Sequence, residues 1–342
     1  MKNHKRIQVM FLVIFVVLVS FQQIAVNGQS NTIVVPDDYS FIQEAIDNAL
    51  EGDTVYVKKG IYHENLGINK SIFLIGEDRD LTIIDGNTSQ SYRVPININC
   101  YNVTVSGFTL RYGYAGIQFQ GGENCTISGN KIADAQFGIR GGTWNNITDN
   151  TFENIGLGGA IRFDGSTHNI VQKNFIKSCT EGVQVMWGSD LNTVSENTII
   201  GCEDVGIRLQ ESDGNIVTRN IVRNTGVGIS IYIANNNEII KNNFINNTIE
   251  VGADEWYARQ WGYGYSINKW EQNYYSDYNG TDADSDGIGE TSYLINEKNQ
   301  DNYPLSEPME LPEIPEFHSW TIFPLLLIGS LAVIVVKKRL FS

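Results

Sequence analysis

An apolar residue, two further residues and an asparagine recur along the middle of this chain. They stand as Ile127-x-x-Asn130, Ile147-x-x-Asn150, Val171-x-x-Asn174, Val194-x-x-Asn197, Val217-x-x-Asn220 and Ile240-x-x-Asn243, with gaps of 20, 24, 23, 23 and 23 between the asparagines. Another apolar mark comes two residues after each asparagine, at Ile132, Phe152, Ile176, Ile199, Val222 and Ile245. A third, in most units just after a glycine, falls at Ile117, Ile139, Ile161, Val183, Ile207 and Ile229. Marks that keep one period independently of each other imply one structural unit wound repeatedly.

The content of the unit chooses the fold. Runs of helix formers at a 3.6 spacing are missing, and each unit holds three short β-prone pieces separated by Gly, Asn, Asp and Ser. The chain is therefore expected to be all-β: a right-handed parallel β-helix of about nine coils over residues 33–250, each of 22–23 residues. Coils stack at about 4.8 Å, so asparagines 130 to 243 should form a ladder within the turns. Residues Ser40–Ala49 carry apolar side chains at 41, 42, 45, 46 and 49, predicting an amphipathic helix that covers the open end of the coil. Ser40 is placed to cap it, with Gln43 completing a capping box.

Several stretches carry a resemblance. Val35-Pro-Asp-Asp-Tyr39, Ile42-Gln-Glu-Ala-Ile46, Gly52-Asp-Thr-Val55, Gly60-Ile-Tyr62, Ile75-Gly-Glu-Asp78 and Thr82-Ile-Ile-Asp-Gly86 resemble the start of NosD-like and pectinesterase-like β-helix proteins. The stretch from Asn273-Tyr-Tyr-Ser-Asp-Tyr278 to Asp301-Asn-Tyr-Pro304 resembles the closing segment of NosD-like surface proteins. The resemblance spans nearly all of residues 33–305 and is specific for fold. It implies carbohydrate binding, sugar-active enzymes or a factor linked to copper-enzyme maturation, all on one scaffold.

Both ends read as targeting segments. Lys2, Lys5 and Arg6 precede the apolar run Ile7–Val19, giving a signal peptide over 1–28. At the other end, the apolar stretch Trp320–Val336 runs directly into Lys337, Lys338 and Arg339, so 320–339 is a transmembrane helix or sorting tail with the body outside. Residues 306–319 form an acidic, proline-stiffened stalk. Pro315-Glu316-Phe317, the apolar stretch and the basic end together resemble a PEF-CTERM sorting tail, which implies a sortase-like processing enzyme and an archaeal cell surface. Between the ends lie a cap with first coils (29–95), repeats (96–250) and a closing segment (251–305).

Between residues 29 and 304 the chain has 18 basic and 35 acidic residues, net −17, which excludes a basic nucleic-acid footprint. Copper sites want His, Cys and Met, yet the only His and Met of the body are His63, His168 and Met186, well apart, so no His/Met cluster forms and no copper is expected. Asp282-Ala-Asp284-Ser-Asp286-Gly287-Ile288-Gly289-Glu290 resembles half of a calcium loop, with the Ile288 carbonyl and Glu290 as further ligands and Asp277 or Asp301 to complete it. Cys179 and Cys202 occupy one inward repeat position on adjacent coils, open to a disulfide or two stacked thiols. Sequons stand at Asn69, Asn87, Asn102, Asn124, Asn146, Asn246 and Asn279; those at 102, 124 and 146 recur every 22 residues and should stack.

One outward face combines chemistry. Alternation from the third apolar mark points Gln118, Arg140, Arg162, Gln184 and Arg208 outward, with Asp164, Gln210 and Tyr232 two residues on and Trp187 close by. Arg, Gln, Asp and aromatic residues on a parallel sheet suit an acidic polysaccharide, unless acids such as Glu181 and Glu211 consume the arginines. Asp190 and Asp213 read as turn residues rather than an acid and base. The function expected is a membrane-anchored, extracellular carbohydrate-binding or structural role. A polysaccharide lyase, esterase or hydrolase is the alternative, and a NosD-type copper maturation factor is disfavoured.

Overall fold

The computed structural model describes residues 30–86, 93–253 and 266–310. The expected signal peptide, Asn87, most of the stalk and the tail 320–339 lie outside the described residues. Among those described, no helix is long and apolar enough to cross a membrane.

The coils form as the repeat predicts. One face is an eleven-stranded parallel sheet running from Thr32–Val35 to Lys269–Glu271. Eleven strands mean about ten turns, one more than expected, because Lys269–Glu271 of the closing segment pairs with Glu238–Ile240 and adds a coil. The other coil strands also stack in parallel, with only Tyr293–Asn296 and Asn299–Asp301 of the closing segment forming an antiparallel pair, and registers such as Ile139↔Ile161 and Val183↔Ile207 place the third apolar marks in one column. Val105, Ile127, Ile147, Val171, Val194, Val217 and Ile239 make another fully buried column.

Corners are built from single residues in the left-handed backbone region. Asp149, Lys173, Glu196, Arg219, Lys241 and Gln272 all have φ between 55° and 58°. Each turns the chain once, and the next residue, an asparagine, points inward. That asparagine's side chain then does the work of a backbone. In the ladder 130, 150, 174, 197, 220, 242 and 273, each Oδ1 accepts from the main-chain N–H of the preceding coil, and each Nδ2 donates to a carbonyl. Asn174 illustrates this: its Oδ1 accepts from Asn150 N at 3.1 Å and its Nδ2 donates to Ile147 O at 2.8 Å. The final acceptor is the buried carboxylate of Asp301, 2.9 Å from Asn273 N.

Two sequence expectations need correction. The ladder residue after Asn220 is Asn242, with Ile239 and Phe244, rather than Asn243 with Ile240 and Ile245, and Asn273 extends the ladder by one coil. Asparagines 145, 169, 192, 215, 237, 268 and 299 form a second ladder; Asn237 stands two before Ile239, as Asn215 does before Val217, and this fixes the register. Helix α1 (Ile42–Asn48) is not capped by Ser40: its N-cap is Phe41, and the Glu64 carboxylate accepts from Ile42 N and Gln43 N, both at 2.9 Å. Gln43 instead ties α1 to the coil, exchanging hydrogen bonds with the backbone of Gly67.

Candidate functional site

The outward face of strands Lys131–Arg140, Gly159–Asp164, Glu181–Met186, Val205–Gln210 and Val227–Tyr232 carries the expected row. Register places Gln118, Arg140, Arg162, Gln184 and Arg208 one above another, and Asp164, Met186, Gln210 and Tyr232 in a second row. Parallel pairing without slippage is what keeps like positions together.

Four of the expected residues come together with two that sequence reasoning missed. The Asp164 carboxylate accepts from Arg162 Nε at 2.9 Å and from Arg140 at 3.1 Å. Arg140 also donates to the Tyr114 hydroxyl at 2.6 Å. Phe137 lies beneath both guanidinium groups, at 5.2 and 5.6 Å from its ring centre. Trp187, 49% exposed, sits 5.1 Å from Arg162 on the far side. Tyr114 and Phe137 precede their glycine marks, and only the stagger of adjacent coils brings them in. Arginine guanidiniums flanked by aromatic rings are held flat and oriented by cation–π attraction.

The rest of the row is different. Arg208 is bound bidentately by Glu181 at 2.8 and 2.9 Å, and this partner raises its pKa further. Glu181 thus occupies Arg208. Gln184 points outward in register yet is only 5% exposed, so a ligand does not reach it as expected. Gln210 and Tyr232 are half-buried further along. An open cleft, lined by His63, Asn65, Arg93, Val94 and Asn97, belongs to the first coils rather than to this strip.

The other candidates lie away from the strip. Asp190 Oδ1 accepts from Asp213 N and Asp213 Oδ1 from Asn235 N, so both carboxylates hold turns. Cys179 and Cys202 are both buried and stand as free thiols. Burial pushes the Cys179 thiol up to about 12 and Cys202 further still. Oxygens of Asp282, Asp284 and Asp286 lie within 4.8 Å of one another. Asp301, one of the residues expected to complete that cluster, is instead the ladder terminus, and Asp277 accepts from the Tyr293 hydroxyl at 3.2 Å. Glu290 folds back onto Ala283 N. The sequon asparagines 69, 102, 124, 146, 246 and 279 are all exposed, in contrast to the buried ladders. Asn146 does not stack on Asn124, since this coil has 20 residues and pairs Thr126 with Asn146.

The molecule is thus a parallel β-solenoid with an arginine–aromatic strip on one outer face. It belongs to the family described as periplasmic copper-binding protein (NosD), which matches residues 46–280. A cell surface glycoprotein of Methanothermus fervidus is 26% identical over 307 residues, covering 69% of this chain and 51% of that one. The chain therefore spans about half the length of that relative. Among solved structures, the mannuronan C-5 epimerase A-module of Azotobacter vinelandii is similar with a TM-score of 0.52 at 15% identity, covering 68% of this chain and 81% of the module. A Thermotoga maritima exopolygalacturonase gives 0.52 at 12%, covering 69% and 78%. An alginate lyase from a Paenibacillus strain gives 0.50 at 13%, covering 71% and 94%. At such identities the likeness is one of fold.

The family's description raises copper, and the donors test it. His168 stacks on Trp144 with centroids 3.9 Å apart, His63 lies 4.0 Å from Asp85, and Met186 is buried on another coil. Among the described residues, the group of three or more His, Cys, Asp or Glu donors close enough to share an ion is Asp282, Asp284 and Asp286, all oxygen, so a soft-ligand copper site does not fit the donors there.

Proposed function

We propose that this chain is an extracellular surface protein that binds carbohydrate on the strip of Arg140, Arg162, Asp164 and Trp187. The observation that supports it most is Arg162, held by Asp164 at 2.9 Å and lying between the rings of Phe137 and Trp187. An oriented guanidinium beside a half-exposed indole offers hydrogen bonds to hydroxyls or a carboxylate, and a face for a sugar ring. Two arginines share one carboxylate there, so a net positive charge remains on a body that is acidic overall, which favours uronate-bearing chains. Acid–base hydrolysis needs a second free carboxylate, and the Glu181 carboxylate is engaged by Arg208. The cell-surface relative supports the location, and the tail 320–339 is proposed to anchor the chain.

A glycan array probed with the purified chain, paired with a reducing-end assay on whatever binds, tests the reading. Salt-sensitive binding to acidic glycans without new reducing ends is expected. Equal binding of neutral and acidic glycans, or cleavage, would overturn it. Deleting residues 315–342 should release the protein into the medium; continued membrane retention would count against the anchor.

A further inference from the structure

One corner of the solenoid presents a column of outward residues in identical backbone conformation. Asn102, Asn124, Trp144, His168 and Leu191 have φ of 58°, 52°, 59°, 58° and 59°. Register makes Asn124 and Trp144 direct neighbours: Glu123 bridges to Thr143 on one side of them and Thr126 pairs with Asn146 on the other. The two side chains therefore leave the corner in parallel, about 4.8 Å apart. One face of the Trp144 indole is covered, by the His168 ring at 3.9 Å and 15°. The other face is turned toward Asn124, and Trp144 remains 53% exposed. Such an exposed large aromatic costs hydration free energy unless something lies on it.

Asn124-Cys125-Thr126 is a sequon, and Asn124 is exposed. We infer that Asn124 carries an N-linked sugar whose first residue packs its apolar ring face on the Trp144 indole. The occupant is thus the chain's own modification. A sugar ring attached at Nδ2 begins one side chain's length above the corner, at the level of the indole, and its C–H groups meet the ring's negative face. The other two sequons of this part of the solenoid, Asn102 and Asn146, lack this arrangement. Asn146 has Ile170 as its neighbour in register, and Asn102 has Asn124 itself. The same stacking makes modification of Asn102 and Asn124 in one molecule unfavourable, because two sugars at rung spacing crowd. Asn124, with the indole beneath it, is the site selected.

The inference rests on the reading of an exported chain, and the test separates the two. The full chain is produced in an exporting, N-glycosylating host, and glycopeptide mass spectrometry reads occupancy at each sequon. Sugar is expected at Asn124 in most molecules, with Asn102 largely bare in those. Sugar at Asn246 or Asn279 with Asn124 bare would overturn this inference alone. A chain bare at every sequon would overturn the exported reading as well. In the occupied protein, proton resonances of the first sugar should shift upfield through the indole ring current and return to ordinary positions in Trp144→Ala. Unshifted resonances in the wild type would overturn the contact. Thr126→Val removes the sequon while leaving Asn124 in place, and should lower the melting temperature by about 2 °C. The same change in the Trp144→Ala background should have no effect, and an equal loss in both backgrounds would refute the stacking.

Discussion

At the scale of single residues, this protein uses one amino acid for two opposite purposes, and position alone separates them. Ladder asparagines are buried, Asn268 alone being partly so, with every amide group bonded, whereas the described sequon asparagines are exposed. Asn174→Leu would orphan the N–H of Asn150 and leave Asn197 Oδ1 without its side-chain donor. Each unmet buried group costs about 1–3 kcal/mol, so a loss of roughly 3 kcal/mol is expected in chemical denaturation. Asn69→Gln, at an exposed site, should cost nothing measurable. The buried thiols predict an alkaline response. Cys179 has a folded pKa of about 12 against an ordinary 9.0, so its contribution is complete below pH 9 and is lost as pH rises through that interval. Melting temperature should be flat to about pH 8.5 and then fall, and Cys179→Ala should flatten part of the fall. A profile unchanged by the substitution would place the alkaline sensitivity elsewhere, for instance in Tyr275, whose burial also raises its pKa.

At the scale of elements, the capping helix shows what local sequence can and cannot say. Its apolar face was legible because a 3.6 periodicity is local. Its cap was not, because Glu64 reaches it from 22 residues away after the chain has completed part of a coil. Glu64→Ala should therefore lower stability by about 1 kcal/mol, with Ser40→Ala neutral, when both are measured by denaturant midpoint. The reverse ranking would restore Ser40 as the cap. The repeat strands were legible for the same local reason, since two marks kept one period. The register slip at Ile240 arose where Glu238-Ile-Ile-Lys-Asn-Asn-Phe offers two apolar and two asparagine residues in succession; only the second ladder, through Asn237, decides between them. The outward arginine row was likewise readable from alternation. The Phe137 and Tyr114 contacts and the burial of Gln184 were not, since they depend on how neighbouring coils lean over each other.

At the scale of the whole molecule, a solenoid is a one-dimensional stack, each coil stabilised by its two neighbours, so its ends govern its unfolding. One end is closed by α1, the other by the closing segment. There Asp301 receives the last ladder bond, and Leu305 bridges to both Tyr274 and Ile288. The Asp282–Asp286 loop fastens that segment from outside. Asp282 Oδ2 accepts from Gly287 N at 3.0 Å and from Ser306 Oγ at 2.9 Å. Three carboxylates within 4.8 Å repel one another, and an oxygen-only group of this kind suits calcium. A cation there would remove the repulsion and hold Ser306 against the terminal coil, strengthening the end from which the stack frays. Binding at 100 times Kd contributes about 2.7 kcal/mol to the folded state. For a chain this long that is a rise of about 4 °C in melting temperature. Asp284→Ala should abolish the rise with little change in the calcium-free protein, because Asp284 makes only a long 3.3 Å bond to Asp286 N. Magnesium, which demands a tighter octahedron, should do less. An equal calcium response in wild type and Asp284→Ala would exclude this loop as the site and leave the ladder terminus at Asp301 as the main fastening of that end.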